Sequence, residues 1–144
     1  MYTGILHLHS YMAYLVLTGL AISIIAALVG YSKNRPFTDG DRKLGLLGLI
    51  PTHLQWVFGA ILYFVSPRGA SLASGETMSD SVSRLYFLEH PLTMIIAVVL
   101  ITVGYSRAKR MIGNRKGFSS IYIFYAIGLI LILARIPWIS WPGN

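Results

Sequence analysis

The chain has 144 residues, 55% of them hydrophobic, no cysteine and a formal net charge of +7. Charged residues make up only 12%, against roughly 25% in an ordinary soluble domain, and the lack of cysteine excludes disulfides, thiolate metal sites, iron–sulfur clusters and thiol nucleophiles. Most of the positive charge lies in two short segments between apolar runs, which is the pattern of membrane-flanking loops and argues against a nucleic-acid-binding surface.

Four runs carry no Asp, Glu, Lys or Arg: Met1 to Ser32, Leu44 to Pro67, His90 to Ser106 and Gly117 to Ala134. Each reaches the range of about 17–25 residues that a helix needs to cross the hydrocarbon layer. The reading is a single all-α domain, an up-down-up-down four-helix bundle integral to the membrane, with spans at about 5–31, 44–66, 84–106 and 118–138. The N-terminal run lacks a basic start and a small-residue cleavage site, so it is expected to be a permanent first helix.

Span one ends at SKNRP, where Asn34 and Pro36 stop a helix. The loop that follows carries Lys33, Arg35, Arg42 and Lys43 against Asp39 and Asp41, and Thr38 is placed to cap the second helix. Span two contains Pro51, expected to kink it, with His53 and Gln55 close behind near mid-depth. The second loop, Ser66 to Ser83, is rich in Ser and Gly and has no excess of positive charge. Span three opens with Glu89, His90 and Pro91 a turn or two inside it. The third loop holds Arg107, Lys109, Arg110, Arg115 and Lys116 with no acid, and span four closes on RIPWISW.

Positive loops face the cytoplasm. Loops one and three have that charge, so both termini and loop two are expected to be periplasmic, in a bacterial inner membrane. Trp138 and Trp141 form an aromatic anchor there, which Tyr2, Tyr86 and Phe87 can join.

Ionisable groups inside a membrane are costly and are candidate functional residues by default. At 1.5 Å of rise per residue, His7, His9, Glu89, His90 and Arg135 share the outer third of the bilayer, whereas His53 lies near the middle. At about 100° per residue, His9 sits at the edge of a small-residue stripe of Gly19, Ser23, Ala26 and Gly30. His7 points away from that stripe, and His90 faces inward together with Tyr86 and Thr93. His9, His90, Glu89 and Arg135 are therefore expected to meet, with Glu89 and Arg135 paired as ions.

Several chemistries suit this set. A b-type haem is held by neutral imidazoles on facing helices, with a basic residue for its propionates; His9 and His90 supply the iron ligands and Arg135 the cation. A quinone head group can use Glu89, His90 and Tyr86. A zinc or copper ion on His7, His9 and His90 is disfavoured, because HxH on a helix separates the two rings by about 200°. The competing reading is a structural interhelical network in an accessory subunit of a larger membrane complex. No phosphate loop, nucleophile–base set or paired catalytic carboxylates is visible.

The segments LHLHS, RPFTDGDRKLGL, THLQ with LYFVSP, LEHPLTM, ITVGYS and RIPW together resemble, over nearly the whole length, a group of small four-span bacterial proteins that carry a provisional cytochrome b label. The resemblance implies haem at His9, His53 and His90, with Arg135 nearby. It leaves open whether His9 or His53 partners His90.

Overall fold

The structure is a computed structural model that describes residues 1–142. It contains four helices long and apolar enough to span a bilayer: α1 (Tyr2–Ser32), α2 (Asp39–Val65), a third formed by α3 (Ser81–Arg84), a π turn (Leu85–Glu89) and α4 (His90–Lys109), and α5 (Lys116–Arg135). No strand occurs among the described residues. The chain is a multi-pass membrane protein with an all-α, four-helix bundle fold, as expected from the sequence. Going round the bundle the order is α1, α2, α4, α5, so α1 lies diagonally opposite α4.

The helix ends follow local chemistry. Asn34 takes a positive φ of 53° and ends the first helix. Thr38 starts α2 through a reciprocal capping box: its hydroxyl accepts from Asp41 N, and the Asp41 carboxylate accepts from Thr38 N at 2.8 Å. Arg35 clamps the same carboxylate in a fork at 2.6 and 2.8 Å. Arg115 donates to Tyr31 O at 2.9 Å, at the frayed end of α1, and lies 3.6 Å from the Tyr31 ring centre. The fourth helix stops at Arg135 rather than at the expected 138, because Ile136 precedes Pro137 and is pushed to an extended conformation.

In lipid, helices associate through close packing and hydrogen bonds, since burying Leu against Leu gains little over burying it against acyl chains. The bundle core follows that rule. Gly19, Ser23 and Gly30 of α1 are buried. A methyl group built at Gly19 would overlap the Leu47 carbonyl. That carbonyl has no helical partner, because its donor would be the N–H that Pro51 lacks. The proline therefore frees an oxygen against which α1 packs backbone to backbone. Tyr125, fully buried, donates to Gly45 O at 2.7 Å, and Ser120 donates to Gly104 O at 2.8 Å. These bonds tie α5 to α2 and to α4 in the half of the bundle nearer loops one and three.

Candidate functional site

The half of the bundle nearer the termini holds the intramembrane histidines. His9 projects from α1 and His90 from α4, and their rings meet across the bundle axis with centroids 6.3 Å apart and planes at 84°. A π turn lies just before His90. Its extra residue closes the bond from His90 N to Leu85 O just before Pro91, which brings no N–H of its own. A one-residue offset turns a helix face by about 100°, so this turn re-phases α4 relative to α3.

A hydrogen bond sets the tautomer of His90. His90 Nδ1 lies 2.8 Å from the backbone oxygen of Arg135. A carbonyl only accepts, so Nδ1 carries the proton and the neutral ring has its lone pair on Nε2. Around His9, Gln55 of α2 donates from Nε2 to the His9 carbonyl at 2.8 Å. Two buried atoms there have no partner: His9 Nδ1 and Gln55 Oε1. Gly59, one turn further along α2, leaves room for the ring; a methyl there would stand 2.9 Å from His9 Cε1.

Glu89 lies beside this pair as an ion-pair hub. It accepts from Arg84 Nε at 2.8 Å and lies 3.7 Å from Arg135 Nε. The Glu89–Arg135 pairing was expected, but the tighter partner, Arg84, was not. Tyr86 bonds to Ser140, and the Arg68 guanidinium sits 5.2 Å from its ring centre. Trp141 packs against Tyr14 with ring centres 4.6 Å apart and donates to Ser10 O at 2.9 Å, covering α1 one residue below His9. His7 is exposed and stacks on Tyr11 at 6.3 Å. His53 is not part of the His9–His90 pair. It bonds to Thr102 of α4 at 2.8 Å and lines a separate groove between α2 and α4.

The two imidazoles are the donor type that could hold a haem iron from facing helices. Two metal–nitrogen bonds of about 2.0 Å, plus about 1.1 Å on each side from nitrogen to ring centre, give a centroid separation of about 6 Å. The observed centroid separation is 6.3 Å, with the planes at 84°. His90 has an oxygen acceptor on Nδ1, the arrangement that orients a ligating histidine. Among the described residues, no three His, Asp or Glu side chains converge to hold an ion without such a group, so a set of His7, His9 and His90 is not assembled.

The fold and the paired intramembrane imidazoles define a small four-span helical membrane protein with a half-buried polar cluster towards one end. No family model, curated protein or solved structure matches the chain.

Gln55, Gly59 and Arg84 are the residues that site reasoning from sequence missed. Gln55 and Gly59 did carry a signal, since both share the small-residue face of the second helix at 100° per residue. Arg84 gave none, because it reads as ordinary flanking charge.

Proposed function

We propose that the protein is a haem b carrier of a bacterial inner membrane, and that the imidazoles of His9 and His90 would hold the haem. The observation that carries this reading is the placement of two imidazoles from diagonal helices, 6.3 Å apart at ring centre, with the His90 Nε2 lone pair left free by the Arg135 carbonyl. The resemblance to proteins labelled cytochrome b points the same way.

The chain's own residues have separate tasks in this reading. The Arg135 carbonyl fixes the His90 tautomer. Gln55 ties α2 to the His9 carbonyl, and Gly59 leaves the His9 ring room. The Arg135 guanidinium, held only loosely by Glu89 at 3.7 Å, neutralises an acidic substituent. The apolar helix faces around the pair exclude water. When bound, haem supplies one-electron transfer, which gives the protein a respiratory or redox role beside other membrane subunits. The charge distribution supports the orientation. Nine of the twelve Lys and Arg, against two of the five acids, lie in or beside loops one and three, so both termini are periplasmic.

A second reading rests on the Arg84–Glu89–Arg135 hub and the Gln55–His9 bond. These already tie the helices together, as in an accessory subunit whose polar cluster only fixes packing. An optical spectrum of the purified protein separates the two. A Soret band with distinct reduced alpha and beta bands, lost in His90→Ala, is the expected result. A colourless protein whose His90→Ala variant merely loses stability overturns the haem reading and leaves the accessory one.

A further inference from the structure

Between α2 and α4 lies an open groove of about 370 Å³, lined by His53, Trp56, Val57, Ile95, Val98 and Val99. Its volume lies within the range of small-molecule sites, roughly 300–1,000 Å³. His53 is 14 residues from the start of α2 and 12 from its end, so at about 1.5 Å per residue it stands near mid-bilayer. A polar ring at that depth is costly unless something binds to it.

The hydrogen bonds decide what that is. The Thr102 hydroxyl has one proton and donates it to Val98 O at 2.7 Å. It can therefore only accept from His53, whose Nε2 lies 2.8 Å away. In the neutral imidazole, Nε2 then carries the proton and Nδ1 is a bare acceptor, with no protein donor among the described residues. The groove is thus a mostly apolar slot with an indole on one wall, branched aliphatic side chains on the other, and one unused acceptor.

We propose that this groove binds the hydroxylated aromatic head group of a lipid-soluble quinol. A phenolic O–H donates to His53 Nδ1, and the flat ring lies between Trp56 and the α4 wall. Depth selects this class. Phospholipid head groups stay at the interface, so the lipid-phase species that brings a hydrogen-bond donor to mid-membrane is a small neutral molecule dissolved in the acyl chains. The site is separate from the His9–His90 pair and does not depend on iron being there.

The test uses the full chain in lipid nanodiscs, with decylubiquinol as probe and Trp56 fluorescence as readout. The expected result is a saturable change, absent in Trp56→Phe. It should be roughly two- to tenfold weaker for the quinol dimethyl ether, which cannot donate, and for His53→Leu, consistent with the loss of one hydrogen bond. Val99→Phe, which fills the groove from its exposed rim, should abolish it, and Gly4→Ala, where an added methyl meets nothing within 4 Å, should leave it unchanged. A non-saturating response equal for quinol and ether, or one that survives both His53→Leu and Val99→Phe, overturns the proposal. So does a Trp56 signal that follows the protein-to-lipid ratio instead of the quinol, which would mean that a second copy covers the groove.

Discussion

Gly59→Ala separates the demands of the helix from those of the candidate site. In a helix interior, replacing Gly by Ala gains up to about 1 kcal/mol from backbone entropy alone. At Gly59 the added methyl would stand 2.9 Å from His9 Cε1, whereas comfortable carbon–carbon contact begins at roughly 3.5 Å. The imidazole is the movable partner, so its ring must retreat by about 0.6 Å or more. The backbone gain and the displaced contact then nearly cancel, and thermal stability should change by less than about 1 kcal/mol. Metal–nitrogen distances, however, tolerate only about 0.2 Å. A ring displaced by three times that margin should cost on the order of 10–100-fold in haem affinity, the range seen when a supporting contact to a ligand is lost. The assay is a haemin titration of the protein in nanodiscs, followed at the Soret band, beside a melting curve. Gly4→Ala is the control, since nothing lies within 4 Å of a methyl there; it should bind haem like the native chain. If Gly59→Ala binds haem as tightly as the native protein and gains stability, the argument linking Gly59 to His9 is wrong.

Three further outcomes follow from the packing and the charges. Gly19→Ala should destabilise the bundle by about 1–3 kcal/mol, as overpacking does, because the obstruction is the Leu47 backbone, which cannot step aside as a side chain can. A denaturation midpoint at or above that of the native chain would contradict this. Tyr125→Phe removes the 2.7 Å bond to Gly45 O in the buried core and should cost about 0.5–1.5 kcal/mol, read from the same denaturation curves; no change would mean that the bond adds nothing over packing. For topology, a cysteine placed at Ser79 should react with a membrane-impermeant thiol reagent added from outside whole cells, and one at Asn114 should not. The reverse pattern exchanges the two sides.

Much of the architecture was legible in the residue order because it depends on local quantities. Span number follows from apolar length, the end of α1 from Asn34 and Pro36, and the start of α2 from the Thr38 cap. The shared depth of His9, Glu89, His90 and Arg135 needs only a count of residues from the helix ends, and the inward direction of His90 was also anticipated. Partner choice was less accessible. Glu89 takes Arg84 more closely than Arg135, His53 turns to Thr102, and Gln55 reaches back to the His9 carbonyl.

Chain composition by itself determined that this protein is a four-helix membrane bundle carrying a few costly polar groups, because insertion into lipid responds to the apolar content of each segment separately. Only the tertiary structure decided that His9 and His90 meet across the diagonal while His53 looks into a different groove. Those outcomes depend on the order of helices around the axis and on the phase of each face. A π turn before Pro91 and a carbonyl freed by Pro51 act on phase and spacing through contacts between segments far apart in sequence, which no count of 100° steps along one helix contains.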